Sequence, residues 1–318
     1  MKKSKAGYSR RAAHAGSWYT NKGHHLKQEL TSMIQQAAAL STEASSSMRP
    51  LKAVICPHAG FSYSGSTAAY SYKRVQDELE QNPSITSVLV LHPSHHVYLD
   101  GCAVSGAILL ETPLGNLTVD GNLRDELLET GKFSVMEQSV DENEHSGEMQ
   151  YPFLALAAQV ANCLERIQVL PVMVGSISGK SEAFFGKILA PFIARPNVLC
   201  VVSSDFMHWG SRFGYQPTIV CKPIHEHISE LDKRGMDLIQ DQEPEAFAKY
   251  LKETKNTICG RHPISVWLQA VQVNSSSQVE TLDISFIKYA QSSQVMSLRD
   301  SSVSYASAIA LQQQQVSS

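Results

Sequence analysis

Two kinds of apolar segment alternate along the first two thirds of the chain. Segments of the first kind are short, rich in β-branched residues and almost continuously apolar, which is typical of strands covered on both faces of a sheet. They predict strands at 51–56, 87–92, 167–174 and 197–203. Segments of the second kind are longer and amphipathic, and they predict helices at 64–80, 121–130, 148–164 and 180–194. This alternation predicts a layered α/β fold with a largely parallel sheet.

The last third of the chain predicts helices first and strands afterwards. Amphipathic patterns indicate helices at 226–240, 244–253 and 264–273. Alternating patterns at 281–289 and 302–308 predict two strands that extend or edge the same sheet.

No linker rich in Pro or Ser divides the sequence, so we predict a single domain. We assign residues 13–310 to it, residues 1–12 to a flexible N-terminal extension and residues 311–318 to a disordered tail. Residues 41–47 are predicted to be a short low-complexity loop.

The composition excludes several classes of protein. Hydrophobic residues make up 43% of the chain and charged residues 18%, which excludes intrinsic disorder for most of it. The net charge is −3 and no predicted element has a dense basic stripe, so we expect no nucleic-acid partner. No apolar run approaches the roughly 20 residues that span a bilayer, and the N-terminus lacks the apolar stretch of a secretory signal. We therefore expect a cytoplasmic protein without membrane insertion, with a nuclear location left open.

Polar residues with ligand or catalytic chemistry follow three of the predicted strands. His58 follows the first strand, His95 the second, and Asp205 with His208 the fourth. A single histidine in this position is more often a hydrogen-bonded turn residue than a ligand. Because the carboxyl ends of parallel strands meet at one edge of a sheet, three such ends together favour a common pocket.

Cys259 lies in a loop between two predicted helices, next to Arg261 and His262. A thiol beside two basic side chains can have a lowered pKa and act as a nucleophile or a metal ligand. The alternative, a small buried residue at a tight turn, is equally compatible with the pattern. The six cysteines include no CxxC pair, which argues against a disulfide framework or a zinc ribbon.

An acidic stretch at 141–148 leads into a predicted helix. One interpretation is a solvated helix entry, where carboxylates favour the positive end of the helix dipole. The other is a supporting role, because His145 and Glu148 are three residues apart and share one helix face if the helix begins early enough. They would then orient a metal-ligating histidine.

Together, these segments resemble one protein family. The motifs occur in order and without gaps, as HAGSWY at 14–19, PHAG at 57–60, PSHHV at 93–97, EHS at 144–146, SSDF at 203–206 and HWG at 208–210, with further matches at 256–264, 289–294 and 300–306. The chain is similar from about residue 13 to residue 308 to the Memo family, named for mediating receptor-driven cell motility.

The resemblance implies a mixed, largely parallel α/β sheet sandwiched between helices, as in the class III extradiol dioxygenases. Those enzymes hold non-haem iron with two histidines and a carboxylate. The two histidines correspond to His58 and His95, and the third ligand position is Cys259, where the dioxygenases have Glu. His208 corresponds to an acid/base histidine, with Asp205 beside it. A thiolate in place of the carboxylate shifts the preference of the site toward copper or zinc, although iron fits as well. Because the dioxygenases use iron held by a carboxylate, ring cleavage is not the expected activity.

Three functions are in competition at this stage. The first is a cytosolic metal-binding protein with one iron or copper ion, acting in redox chemistry, as an oxidoreductase, or in signalling to cell motility. The second, also implied by the resemblance, is a metal-independent adaptor for phosphotyrosine peptides of receptors or signalling proteins. It would use the same cleft, in which Arg261 would bind the phosphate and the flat apolar ring of Trp18 would pack against the peptide, with His96 nearby. The third is a hydrolase with Cys259 as nucleophile and His208 or His262 as base.

Overall fold

The strands of the protein form one mixed sheet. In the computed structural model, which describes residues 7–40, 49–217 and 222–313, we number the elements in chain order. The strands are β1 Tyr8–Arg10, β2 Leu51–Cys56, β3 Ser87–Pro93, β4 Cys102–Val104, β5 Ala107–Leu110, β6 Leu117–Val119, β7 Phe133–Val135, β8 Gln168–Val174, β9 Val198–Ser203, β10 His208–Trp209, β11 Leu282–Gln291 and β12 Ser302–Gln312. The helices are α1 Gly23–Leu40, α2 Phe61–Gln81, α3 Gly121–Glu129, α4 Gln138–Asn143, α5 His145–Glu148, α6 Tyr151–Val160, α7 Gly179–Ile193, α8 Ile224–Gln240, α9 Pro244–Thr254 and α10 Arg261–Ser276.

The centre of the sheet is parallel and its margins are mixed. Strands β6, β8, β3, β9 and β2 lie side by side in parallel, with Leu89 of β3 opposite Leu170 of β8 and Cys200 of β9. Strand β12 then pairs antiparallel with β2, and β11 pairs antiparallel with β12. The predicted extension of the sheet by two C-terminal strands is therefore confirmed.

Helices flank the sheet in two packed groups, α1 with α2 and α6, and α7 with α10. Strands β2, β3 and β9 are buried along their whole length, and Val88, Leu170 and Val201 have no exposed surface. Each such side chain contributes roughly 1.5–3 kcal/mol when it leaves water. The predicted mixed, largely parallel α/β fold between helices is confirmed.

One predicted helix differs from the observed one, and several observed elements were not predicted. The helix predicted at 148–164 is observed as the shorter α6, and Glu148 instead ends α5, because Pro152 occupies the first turn of α6 and cannot continue a helix from before it. The break leaves Gln150 free to point its side chain into the interior. Helix α1 was not predicted. The strands β4 to β7 were not predicted either, since three- or four-residue strands leave little periodicity.

The N-terminal segment is more ordered than predicted. Tyr8–Arg10 forms β1, which pairs with β5, and the side chain of Arg10 is 1% exposed. The flexible extension is therefore corrected for residues 8–10. Strand β12 also continues through Gln312, two residues into the predicted tail. Residues 1–6, the predicted loop at 41–47 and residues 314–318 lie outside the described residues. Among the described helices, none is long and apolar enough to cross a membrane.

Candidate metal centre

The carboxyl ends of β2, β3 and β9 meet at one edge of the sheet and bring His58, His95 and Asp205 together. The ring centroids of His58 and His95 are 5.3 Å apart. The backbone N–H of His58 donates to the Asp205 carboxylate over 2.8 Å. The predicted convergence of these three strand ends is thus present in the structure.

The hydrogen bonds around His58 define its tautomer. The Ser203 hydroxyl donates to the carbonyl of Ser146 over 2.7 Å and accepts from the side-chain amide of Gln150 over 2.8 Å. Its remaining lone pair therefore accepts from Nδ1 of His58, 2.8 Å away. The Nε2 lone pair of His58 then faces Sγ of Cys259 at 3.0 Å. Burial and the neighbouring histidines lower the pKa of His58 well below its usual value, so this nitrogen stays available as a ligand.

His95 is held by Glu144. The carboxylate accepts from the backbone N–H of His95 over 2.6 Å and from its Nδ1 over 2.8 Å. Glu144 also caps α5 by accepting from the N–H of Ser146. Burial opposes its ionisation, but the hydrogen bond and charge of His95 outweigh burial and hold the pKa of Glu144 well below its usual range. A histidine that gives Nδ1–H to a carboxylate presents Nε2 for coordination.

His145 lies between two aromatic rings. It stacks on Trp18 with 4.2 Å between centroids and on His95 with 4.5 Å. Burial and the nearby His95 lower its pKa to about 3, so the ring is neutral at physiological pH. Its buried Nδ1 makes no hydrogen bond among the described residues, but it lies 3.5 Å from the Glu144 carboxylate that also holds His95.

Cys259 and Asp205 are in direct contact through two hydrogen bonds. The N–H of Asp205 donates to Sγ of Cys259 over 3.2 Å, and the N–H of Cys259 donates to the carbonyl of Asp205 over 3.3 Å. Burial and the Asp205 carboxylate raise the pKa of the thiol well above its usual value. This corrects the predicted lowering by Arg261, whose guanidinium instead donates to the carbonyl of Ile258.

The ligand atoms form two groups that share His58. In one group His58 lies with His95 and His145, and in the other it lies with Asp205 and Cys259. Within each group the ligand atoms are all within 4.8 Å of one another. Bonds of about 2.0–2.3 Å allow about 4.6 Å between opposite ligands, so small side-chain shifts suffice in either group. The predicted set of His58, His95 and Cys259 takes members from both groups.

His208 faces the same cavity from β10. Its Nδ1 donates to the carbonyl of Phe206 over 3.0 Å, which leaves Nε2 as an acceptor. The cavity has a volume of about 670 Å³ and also exposes His58, His95, His145, Asp205, Trp18 and Arg212. A proton acceptor therefore lies beside the candidate ligands, with space for a small molecule or a peptide side chain.

Several predicted residues have other contacts. Glu148 binds Arg10 over 2.7 Å and His14 over 2.9 Å, so the role of orienting a candidate ligand falls to Glu144. Neither Arg261 nor His96 lines the cavity, although the His96 ring contacts that of His145 edge-on at 6.0 Å. Arg212, Ser203 and Gln150 were not predicted. Ser203 and Gln150 fall inside a predicted strand and a predicted helix, where the sequence offers no sign of a site. Arg212 comes soon after the predicted strand at 197–203, and that position could have identified it as a candidate.

Comparison with known proteins confirms the resemblance. A sequence model of the Memo-like protein family matches residues 10–309. The chain belongs to the Memo-like family. Protein MEMO1 of Rattus norvegicus is 44% identical over 93% of this chain and 95% of its own length, and Protein MEMO1 of Homo sapiens is 43% identical over the same shares. The crystal structure of the uncharacterized protein JW3007 of Escherichia coli K12 matches 79% of this chain and 98% of its own, with 15% identity and a TM-score of 0.48. All of the Memo-like motifs at the site lie within the matched region.

Proposed function

We propose that this Memo-like chain is a cytoplasmic metal-binding protein that holds one iron or copper ion and acts in redox chemistry, in signalling to cell motility, or in both. The observation that carries the proposal is the fixed tautomer of His58. Its Nε2 lone pair points at a thiol 3.0 Å away and belongs to both groups of candidate ligands. A cavity next to these groups leaves room for a further ligand or substrate.

His58, His95 and Cys259 are the proposed ligands, with Asp205 and His145 within reach. Imidazole and thiolate donors suit iron, copper and zinc, so the residues present fit a transition metal. When bound, such an ion supplies Lewis acidity and one-electron chemistry. In the protein, Glu144 holds the His95 ring, the Ser203 hydroxyl holds the His58 ring, and Nε2 of His208 accepts a proton at the open side of the cavity.

Elemental analysis of the protein purified without oxygen tests this proposal directly. We expect close to one equivalent of iron or copper in the wild type. The matched measurement on His58→Ala is expected to give almost none, since His58 belongs to both groups. A wild-type protein that contains no transition metal, and takes up none when iron or copper is added, contradicts the proposal.

Metal affinity is expected to rise with pH because a raised-pKa thiol must lose its proton on binding. The pKa of Cys259 is raised and that of His58 is lowered, so near neutral pH the proton released comes from Cys259. One released proton corresponds to about tenfold in affinity per pH unit between pH 6 and 8. Competition with a chelator across this range measures the slope, and calorimetry in two buffers counts the proton. An affinity that is flat with pH contradicts a thiolate ligand.

Binding of a phosphotyrosine peptide is a second proposal, and Arg212 favours it. Arg212 lines the cavity, stacks on Phe213 at 4.6 Å and has no carboxylate partner among the described residues, whereas Arg261 lies outside the cavity. A charged hydrogen bond to phosphate contributes about 1.5–3 kcal/mol. Arg212→Gln is therefore expected to weaken binding of a phosphotyrosine peptide to metal-free protein by at least about tenfold. Arg261→Gln is the matched control and is expected to bind like wild type; equal losses contradict the assignment.

The hydrolase hypothesis has less support. A thiol with a raised pKa is a weak nucleophile, and the imidazole at hydrogen-bond distance from Cys259 is that of His58. His262 instead pairs with Glu182 over 2.7 Å. We therefore do not propose a Cys/His hydrolase.

A further inference from the structure

Asp232 is a buried carboxylate that the proposed function does not use. It lies on the inner face of α8 with no exposed surface. Its Oδ1 accepts from the side-chain amide of Asn256 over 3.0 Å and from the backbone N–H of Met207 over 3.3 Å. Its Oδ2 accepts from the hydroxyl of Tyr289 over 2.9 Å. The hydroxyl of Ser304 also favours the ionised carboxylate. All of these donors are neutral, and no ion pair to Asp232 is found within the described ranges.

The two groups on Oδ1 belong to different segments of the site. Met207 lies between Asp205 and His208, and Asn256 begins the loop that carries Cys259. Other bonds join the same segments. The N–H of His208 donates to the Thr257 hydroxyl over 2.8 Å, and that hydroxyl donates to the carbonyl of His208 over 3.1 Å. Asp232 therefore connects the two segments without lining the cavity, whereas Asp205 and His208 do line it.

We propose that Asp232 is a positioning residue that joins the segment 205–208 to the loop 256–260 and so fixes Cys259 relative to Asp205 and His208. The inference concerns the site of the proposed function. It does not need the metal, because the position of the thiol is measurable in metal-free protein. Asn256 is held from its other side as well, since its amide also donates to the hydroxyl of Tyr250 over 2.7 Å.

The charge of Asp232 opposes folding, which argues that the residue is more than a structural contact. Burial raises the pKa of Asp232 to about 6, above its usual value, and outweighs the hydrogen bonds that favour ionisation. The folded state thus binds a proton more tightly than the unfolded state. This contribution to stability is complete below pH 4 and is lost as pH rises through 6, by about a hundredfold in the folding equilibrium. The titratable groups that face Asp232 are the phenols of Tyr289, Tyr250 and Tyr215.

Two substitutions separate positioning from stability. In Asp232→Asn the amide oxygen still accepts from Met207 and Asn256, and the amide nitrogen donates to Tyr289, whose hydroxyl then donates to Ser304, 3.1 Å away. We expect this variant to keep the connection and, because it lacks the buried charge, to be more stable than wild type at pH 8 and similar to it at pH 4.5. Asp232→Ala removes the connection altogether.

The test is the rate at which a small maleimide labels Cys259 in metal-free protein at pH 7.5, followed by mass spectrometry of the peptide that carries it. We expect Asp232→Ala to label at least about tenfold faster than wild type and Asp232→Asn to label within about twofold of it. Asp120→Ala is the matched control, because Asp120 is a buried carboxylate that caps α3 and binds Ser87 at the far end of β3. It reports any increase that comes from lower stability alone.

The outcomes are distinct. Faster labelling in Asp232→Ala than in Asp120→Ala, with recovery in Asp232→Asn, supports the positioning role. Equal labelling in Asp232→Ala and Asp120→Ala, or labelling in Asp232→Asn as fast as in Asp232→Ala, overturns it. A chain that binds no metal in elemental analysis contradicts the proposed function and leaves these rates unaffected, so the two failures are distinguishable.

Discussion

Replacing Cys259 with serine is expected to remove most of the bound metal while the fold persists. The substitution exchanges a soft donor that becomes an anion on binding for a neutral hydroxyl that binds transition metals weakly. Loss of residues that only support ligands lowers metal affinity by 10–100-fold, so we expect a loss of more than about a hundredfold for a ligand itself. Serine is close in size, and Cys259 is only partly buried, so the loop has room for it. Metal content under reducing conditions, together with circular dichroism, measures both effects.

Cys163→Ser is the matched control for this experiment. Cys163 follows the last turn of α6, just beyond the observed end of the helix predicted to contain it, and is 3% exposed. A buried hydroxyl at this position is expected to lower stability by about 1–3 kcal/mol and to leave the metal in place. Equal metal content in wild type and Cys259→Ser contradicts the ligand assignment. The third ligand is then Asp205 or His145, the two other groups near His58.

The sequence was sufficient for four of the central strands, β2, β3, β8 and β9, for the two C-terminal strands, and for the edge at which the site lies. Continuous apolar runs identify central strands because both faces of such a strand are covered, and this property needs no tertiary information. His58, His95 and Asp205 could then be placed together because they follow strands that run in the same direction. The same reasoning gave no information on Tyr8–Arg10, since three residues at a sheet margin have no measurable period.

The contacts inside the site were harder to predict, because they depend on where helices break and on which chain segments meet. The spacing of His145 and Glu148 indicated a shared helix face, but the helix ends at Glu148, and the Glu144 side chain folds back as its cap. Two basic residues, Arg261 and His262, follow Cys259 closely in sequence, whereas in the fold the thiol is buried and lies near the Asp205 carboxylate, and both effects raise its pKa. Sequence proximity therefore gave the wrong sign for the pKa of the thiol.

Arg10→Met is expected to destabilise the protein by about 3–5 kcal/mol, because it leaves two buried carboxylates without their cation. The guanidinium binds Asp141 through Nε over 2.9 Å and Glu148 over 2.7 Å, and both carboxylates are at most 2% exposed. It also donates to the carbonyl of Glu144 over 2.9 Å, so its loss reaches the residue that holds His95. We therefore expect a weaker metal site as well as a lower urea midpoint.

Arg11→Met separates this effect from the general loss of a charge near the N-terminus. Arg11 also pairs with a carboxylate, that of Glu142, but its own side chain is 72% exposed. Because solvent screens an exposed pair, we expect a much smaller loss of stability and an unchanged metal affinity. Equal shifts of the urea midpoint in the two variants contradict the buried network. If instead only Arg10→Met loses both stability and metal, then β1, which adds three residues to the margin of the sheet, helps to hold His95 in place through Glu144.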